Sequence, residues 1–335
     1  MIRAQHASLE SGGDTGGDGA RMGWRGPHGA SRPHRPVMEA EIIEAFTLCA
    51  PGSGWIVDAT VGAGGHARLL LEALPDVRLI GVDQDPDALE LAAETLAEFG
   101  GRVKLLRGRM SELCRLLRRE RVERPVGFLA DLGVSSMQID RAERGFSFQQ
   151  DGPLDMRMDP SRDRTAANVI NEWDEGDLAD LFFYEGDERA ARKIARAIVE
   201  ARRRVPFRRT GALADLIANT VGSRGGGPNR IHPATRVFQA LRRAVNEEGD
   251  ELLAGLACAE HWLQVGGLLA VITFHSGEDR VVKRELTRRD GPWEPLTPKG
   301  KPLAAARGEV RDNPRSRSAK LRTARRRASS EEAAS

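Results

Sequence analysis

The alternation of short apolar segments with helical patterns between residues 55 and 130 constrains the fold of this chain more than any other feature. Strands are predicted at 55–57, 79–82, 103–106 and 126–130, and helices at 37–48, 67–74, 86–96 and 112–119. Strands that are apolar rather than alternating in polarity are typical of a parallel sheet covered by helices on both faces. The sequence therefore predicts the α/β class, with a doubly wound, Rossmann-like sheet.

The alternation stops after about residue 140 and resumes further along the chain. Helical patterns at 175–183, 188–204 and 211–221 come first, followed by helices at 234–245 and 250–263 and a strand at 268–274. This order predicts a discontinuous sheet domain, residues 34–139 and 229–325, interrupted by an all-helical domain at 140–228.

Both ends of the chain are predicted to be disordered. Residues 1–33 contain eight glycines among polar and charged residues, so they cannot bury enough apolar surface to offset the entropy of ordering. Residues 326–335 are predicted to form a disordered tail.

Composition and cysteine spacing exclude several classes of protein. No apolar run approaches the ~18 residues that span a bilayer, which excludes a membrane protein. Cys49, Cys114 and Cys258 are far apart and form no C-x-x-C pair, which speaks against a zinc site or a disulfide framework. Because Arg3 is not followed by an apolar segment typical of a signal peptide, we expect a cytoplasmic protein without a bound metal.

A glycine-rich loop follows the first predicted strand. Residues 58–66 read DATVGAGGH, and Gly62, Gly64 and Ala67 fit the spacing of a dinucleotide fingerprint. Asp83 stands about 20 residues further on, at the end of the second strand, where a carboxylate binds ribose hydroxyls. The spacing alone is compatible with a nicotinamide cofactor and with S-adenosylmethionine.

Two carboxylates favour the methyl donor. Asp58 precedes the glycine loop and Asp131 ends the fourth strand, so both lie where open α/β sheets bind ligands. An acidic rim attracts a sulfonium that carries an ammonium group, whereas it repels a pyrophosphate.

Eight ordered motifs between residues 34 and 325 carry a resemblance to a known family. They are HRPVM at 34–38, GAGGH at 62–66, DLGVSS at 131–136 with Gln138, ERGFSF at 143–148, GPLDMRM at 152–158, HPATRVFQA at 232–240, FHS at 274–276 with EDR at 278–280, and NPR at 313–315 with Arg317 and Ser318. Together they resemble the bacterial 16S ribosomal RNA cytosine-N4 methyltransferases, the RsmH or MraW group.

The resemblance implies S-adenosylmethionine-dependent methylation of the exocyclic N4 of one cytidine in the decoding region of 16S rRNA, with the rRNA or the small ribosomal subunit as partner. By motif position, the implied cofactor contacts are Gly64, Gly65, His66, Asp83, Met110, Asp131 and Gln138. The family usually carries Phe where Met110 stands, so a thioether replaces an adenine-stacking ring. It also usually carries Leu where Gly277 stands, which predicts a looser loop there.

The chemistry of amine methylation indicates a catalytic candidate. The lone pair of the cytosine amine is delocalised into the ring, so the reaction needs an acceptor that orients the amine and takes up positive charge. Asp131 is that candidate, and it is also a candidate cofactor contact. Phe146 and Phe148 are candidates for stacking on the target base, with ordinary core packing as the alternative.

Basic clusters predict contact with a polyanion, although the net charge of the whole chain is only +2. Residues 189–209 carry nine Lys or Arg against one Glu, and residues 299–327 carry eleven against two acidic residues. From them we take Arg202, Arg203, Arg204, Arg315 and Arg317 as candidate phosphate contacts. Residues 319–322 are predicted as a short strand at the edge of the sheet, so part of the charge of Arg315, Arg317, Lys320 and Arg322 is expected at the mouth of the site.

Two other functions remain open on the residues alone. One is a nicotinamide-dependent oxidoreductase, since the glycine loop fits both cofactors. The other is a noncatalytic RNA-binding assembly factor that keeps the fold of a methyltransferase.

Overall fold

A computed structural model describes residues 35–49, 52–222, 232–297 and 300–328. The predicted disorder of residues 1–33 lies outside these ranges. The helices are α1 Glu39–Cys49, α2 Gly65–Ala73, α3 Pro86–Thr95, α4 Leu113–Arg119, α5 Ser136–Asp140, α6 Ala166–Glu172, α7 Glu175–Asp180, α8 Ala191–Arg202, α9 Thr210–Val221, α10 Thr235–Asn246, α11 Glu248–Trp262, α12 Ser276–Leu286 and α13 Arg307–Asp312. The strands are β1 Gly54–Asp58, β2 Val77–Asp83, β3 Val103–Arg107, β4 Gly127–Asp131, β5 Leu268–Thr273, β6 Trp293–Pro295, β7 Leu303–Ala304 and β8 Lys320–Arg326.

The strands form one sheet in the order β3-β2-β1-β4-β5-β8-β6, and β7 also pairs with β8. The first five are parallel to one another, while β8 runs antiparallel to its neighbours. The α/β prediction is confirmed. Because the chain moves outward from β1 to β3 and then returns to the other side of β1 with β4, the carboxyl ends of β1 and β4 border the switch point where such sheets bind ligands.

Successive residues of the central strands enter two different cores. Ile56 of β1 and Leu79 of β2 pack on one face of the sheet, and the side chain of Phe46 in α1 joins them there. Val57 and Ile80, one residue later in each strand, pack on the other face. Alternate residues of each strand point to opposite faces of the sheet, and both sets are apolar. Both faces are therefore covered by helices.

The sequence predicted a short edge strand at 319–322, and the observed carboxyl-terminal strand differs in length and in position. In the structure β8 is seven residues long and lies between β5 on one side and β6 and β7 on the other. It is not an edge because two short strands pair along its second side. Arg326, predicted to lie in the tail, ends this strand, and its amide donates to the Gly267 carbonyl over 2.9 Å.

The helical region between β4 and β5 has a core of its own. Ile170, Phe182, Ile194 and Leu213 are buried together in it. The buried face of α10, which the sequence boundary at 229 placed in the sheet domain, also packs in this core through residues that include Phe238. The next helix, α11, instead packs against the sheet, so by packing the helical region ends between α10 and α11.

Within the ranges described, no helix combines the length and the apolar character that a membrane crossing requires.

Candidate active site

The glycine loop fixes Asp83 at the end of β2. The Gly62 amide donates to Asp83 Oδ2 and the Asp85 amide donates to Asp83 Oδ1, each over 2.9 Å. A carboxylate has about four acceptor positions, so capacity remains for further donors. Burial raises the pKa of Asp83 to about 6, against the opposing effect of the amide donors.

Two glycines allow the loop to turn tightly into α2. Gly64 has a φ of +85°, a left-handed conformation that glycine adopts without steric cost. Gly65 lies so close to Pro36 that a Cβ there would approach its Cγ to 2.6 Å. The backbone that enters α2 therefore packs tightly, and the amino-terminal end of α2 lies at the switch point.

His66, Asp58 and Asp131 form a cluster between the ends of β1 and β4, in which His66 and Asp58 are buried and Asp131 is partly exposed. His66 Nε2 lies 3.5 Å from Asp131 Oδ2, and Asp58 is 1% exposed directly before the loop. The Asp131 amide donates to Thr60 Oγ1 over 2.7 Å, which ties the two strand ends together. The structure thus brings a histidine and two aspartates from separate strands into one place.

Burial and neighbouring charge set the protonation of this cluster. Burial raises the pKa of Asp58 to about 7, although His66 and the Thr60 amide oppose the shift. Burial by itself lowers the pKa of His66, but Asp131 and Asp58 outweigh that effect and leave the pKa raised. The cluster is therefore an acidic, weakly solvated place that favours a cation.

Several atoms of the cluster have unused hydrogen-bonding capacity. Within the part of the chain that the structure describes, His66 Nδ1, His66 Nε2 and Asp131 Oδ1 are buried without a hydrogen-bond partner. Buried polar groups nearly always have one, so three such atoms at a switch point indicate that a ligand completes them. Together with Asp83, this donor and acceptor set fits a ligand that carries ribose hydroxyls and positive charge.

Gln138 and Met110 occupy different surroundings. Gln138 is buried, accepts from the Ser135 amide over 3.0 Å, and donates to Asp85 Oδ2 over 2.8 Å. These bonds cap α5 and hold Asp85, so Gln138 is in part a positioning residue. Met110 follows β3 and packs on α11, where a Cβ at Gly255 would lie 2.9 Å from its Sδ.

Arg144 joins the helical region to the segment between β2 and α3, a role that the sequence analysis missed. It donates to Asp85 Oδ2 over 2.9 Å and to the carbonyls of Arg157 and Met158 over 3.0 Å each. Asp85 is fully buried, so the pair leaves no uncompensated charge beside Asp83. Its only sequence signal is its place within the motif at 143–148.

Comparison with known proteins decides the family. A sequence profile of the MraW methylase family matches residues 31–327. The chain belongs to the MraW methylase family. The resemblance drawn from the eight motifs is confirmed.

Two relatives of this family member are both named ribosomal RNA small subunit methyltransferase H. The protein from Methylobacterium sp. (strain 4-46) is 48% identical over 307 residues, covering 87% of this chain and 90% of the relative. The protein from Trichormus variabilis is 49% identical over 303 residues, covering 89% and 93%. A solved rRNA methylase from Streptococcus thermophilus is similar at a TM-score of 0.41 and 11% identity, covering 87% and 94%, and a likeness that distant carries no argument.

The loop after β5, which contains Gly277, is braced by His275. His275 Nδ1 accepts from the amides of Gly277 and Glu278 over 3.1 and 3.3 Å, and its Nε2 lies 2.9 Å from Glu278 Oε1. Burial tends to raise the pKa of Glu278, but His275, the Phe274 amide and Arg242 lower it overall. A Cβ at residue 277 would lie 3.1 Å from the His275 ring, so this family member uses the histidine itself to brace the loop.

The candidate phosphate contacts are not equivalent. Arg202 donates to the Ile170 carbonyl over 2.7 Å and is half-buried, so it stabilises the helical core. Arg203 and Arg204 are exposed beyond the end of α8. Arg315 lies 3.7 Å from Asp140 at the end of α5, and Arg317 is exposed close to it in the chain.

Phe146 and Phe148 both pack against the helical core. The Phe148 ring lies 4.8 Å from Phe238 and 4.6 Å from His232, measured between centroids. Core packing therefore accounts for one side of each ring, while both side chains remain partly exposed.

Proposed function

We propose that this chain transfers a methyl group from S-adenosylmethionine to the exocyclic N4 of a cytidine in the decoding region of 16S rRNA. Family membership and the names of relatives 48–49% identical support methylation of small-subunit rRNA. The observation that carries the chemistry is the buried, unpartnered Oδ1 of Asp131, beside His66 at the switch point.

The carboxylate cluster would hold the cofactor. When bound, S-adenosylmethionine supplies an electrophilic methyl group on a sulfonium. Asp83 would accept from the ribose hydroxyls, and the loop at Gly64, Gly65 and His66 would face the cofactor with its backbone and imidazole. Met110 would contact the adenine, while Asp131 and Gln138 close the pocket. The same acidic surroundings disfavour a pyrophosphate, and with it the nicotinamide alternative.

Asp131 would act on the nucleophile. Its Oδ1 accepts a hydrogen bond from the cytosine amine, which orients the nitrogen lone pair for in-line attack. The carboxylate then stabilises the positive charge that develops on that nitrogen and takes its proton. Because 27% of the Asp131 side chain is exposed, the proton can pass on to solvent.

The helical region and the carboxyl-terminal segment would position the RNA. Arg203 and Arg204 on the helical region, and Arg315 and Arg317 near α5, are exposed or weakly paired cations suited to phosphate contacts. Folded RNA exposes a base amine only when the nucleotide is unstacked. Phosphate contacts on both sides of the crevice supply part of the free energy of that unstacking.

Transfer of a tritiated methyl group to 16S rRNA, followed by nucleoside mass spectrometry, tests the proposal. The substrates are small subunits and naked rRNA from a strain that lacks its own enzyme of this family. We expect N4-methylcytidine as the labelled nucleoside. Label in 5-methylcytidine would contradict the assigned atom, and RNA binding without transfer would favour a noncatalytic assembly factor.

A further inference from the structure

Two neighbouring aromatic side chains are exposed on the helical region. Phe183 is 53% and Tyr184 is 71% exposed, and their rings meet edge to face at 5.1 Å and 84°. Both lie in the π-helical turn Leu181–Glu185, whose first two residues, Leu181 and Phe182, are buried in the helical core. Turns of this kind occur frequently at functional sites, and exposed aromatic pairs commonly mark binding surfaces.

Tyr184 lines a cavity at the carboxyl edge of the sheet. The cavity measures about 70 Å³ and lies between the π-helical turn, α10 and the start of α12, with Arg243, His275 and Arg280 among its lining. The residues of α12 follow β5 directly, and β5 pairs with β4, which ends in Asp131. The cavity and the carboxylate cluster therefore open on the same edge of the sheet.

Most charges around the cavity are already paired. Arg243 Nη2 lies 2.7 Å from Glu185 Oε2, and Arg242 Nε lies 2.7 Å from Glu248 Oε1. Exposed Arg236 donates to the Asp187 carbonyl over 3.2 Å.

Arg280 is the exception. It is exposed, and it makes no ion pair or hydrogen bond with any residue that the structure describes. It is therefore the lining cation that is available to an anion. The cavity therefore has room for a phosphate group beside the Arg280 guanidinium.

We propose that Tyr184 and Arg280 hold one nucleotide of the RNA strand next to the target cytidine. The Tyr184 ring stacks on the base of this nucleotide, and the Arg280 guanidinium contacts its phosphate at the cavity. The inference rests on the proposed function, because it takes the substrate to be rRNA. Aromatic platforms combined with cationic side chains are the usual means of binding single-stranded RNA, and a target base can leave its stack only if its neighbours are also held.

Substitutions at the two residues, each with a matched control, test the proposal in the full-length protein. Tyr184→Ala should weaken binding of 16S rRNA by about 5- to 150-fold, the range of one lost base stack. Tyr184→Phe keeps the ring and should stay within about twofold of the wild type. Arg280→Ala should weaken binding and lower the salt slope by about 0.7, the value for one phosphate contact on a single strand. The controls are Leu253→Ala and Arg289→Ala, which remove an exposed apolar side chain and an exposed cation elsewhere.

An abasic scan identifies the stacked nucleotide. Synthetic fragments of the decoding region carry one abasic nucleotide each, at successive positions around the target cytidine. One position should weaken binding to the wild-type protein and have no effect on Tyr184→Ala, because the same stack has already been lost. If every abasic position weakens both proteins equally, or Tyr184→Ala binds as the wild type does, the proposal is overturned.

Two further readouts separate the possible failures. If the wild-type protein transfers no methyl group to 16S rRNA, the proposed function fails, whatever the variants do. If transfer proceeds but Tyr184→Ala keeps the wild-type KM for RNA, only the stacking role is lost. Light scattering on the wild type and on Tyr184→Ala examines the other possible occupant, and a mass that drops to the monomer in the variant would assign the aromatic pair to contacts between copies of the chain.

Discussion

The carboxyl edge of the sheet and the outer surface of the helical region differ in the sign and in the burial of their charged side chains. At the sheet edge, Asp58 and His66 are buried, and Asp131 keeps an unpartnered oxygen there. On the helical surface, Arg203 and Arg204 are exposed at the end of α8. Buried, partly unsatisfied groups suit one small ligand in one orientation, whereas exposed cations suit a polyanion held through its phosphates. Under the proposed function, the first region carries out methyl transfer and the second binds the RNA.

The two regions are nevertheless joined by buried ion pairs and hydrogen bonds. Arg144 binds Asp85, between β2 and α3, and two carbonyls of the helical region. The Met158 amide donates to Asn246 Oδ1 over 2.8 Å, which anchors the same segment to α10. These contacts fix the orientation of the helical surface relative to the crevice.

The largest expected effect concerns Asp131. Asp131→Asn keeps the shape of the side chain but removes the charge that stabilises the transition state, so the rate of methyl transfer should fall about 100-fold or more. The affinity for RNA should stay within about twofold. Rapid-quench transfer assays beside RNA titrations measure both quantities, with Asp76→Asn, an exposed residue just before β2, as the control. Equal losses in rate and in RNA affinity would show that Asp131 contributes to RNA binding as much as to methyl transfer, so the two roles would not belong to separate regions.

The next effect concerns the ribose. Asp83→Ala removes the acceptor for the hydroxyls and should weaken S-adenosylmethionine binding by about 1–3 kcal/mol. Titration calorimetry measures the dissociation constant, and Asp76→Ala at the other end of β2 provides the matched control. An unchanged dissociation constant would show that Asp83 serves only to hold the Gly62 and Asp85 amides.

A smaller effect is expected from the helical surface. Arg203→Ala combined with Arg204→Ala should weaken RNA binding and lower its salt slope by roughly 0.7–0.9 for each lost phosphate contact. The affinity for S-adenosylmethionine should not change. The control pair is Arg118→Ala with Arg119→Ala, which removes two adjacent exposed arginines at the end of α4. If both pairs lower the slope equally, the loss reflects the net charge of the protein and not a specific RNA contact at the helical surface.

The smallest effect is on stability. Because burial raises the pKa of Asp58 to about 7, its contribution to folding is complete at low pH and is lost as the pH rises through 7. Asp58→Asn cannot ionise and should therefore raise the melting temperature at pH 8 by about 2–4 °C for each kcal/mol of stability that ionisation removes, with no gain at pH 4. Differential scanning calorimetry at both pH values measures this. A variant that is less stable at pH 8 would mean that the ionised Asp58 is compensated within the cluster.

Much of the sheet domain was predictable because each of its signals is local. The strand predicted at 268–274 is apolar apart from Thr273, and the observed β5 is buried at all six residues, while Pro86 begins α3 as predicted. The family resemblance likewise needed only ordered motifs. By contrast, β6 and β7 have three and two residues, too few for a periodic signal, and their pairing made β8 an internal strand.

The sequence could predict which residues gather at the candidate site, but it could not predict the long-range contacts that hold them. Asp58, Asp83 and Asp131 each end a strand, so parallel pairing brings them together by geometry. Arg144 depends on a contact 59 residues away in the chain, and nothing in a local pattern indicates it. Arg202 belongs to a run of three arginines, and only the fold shows that it binds the Ile170 carbonyl while its two neighbours face outward.

Single-turnover methyl transfer at saturating 16S rRNA tests the separation of roles most directly, since saturation removes differences in RNA affinity. The Arg203→Ala and Arg204→Ala double variant should then recover the wild-type rate, while Asp131→Asn stays about 100-fold slower or worse. An Asp131→Asn rate equal to that of the wild type, or a double variant that stays slow at saturation, would contradict the account.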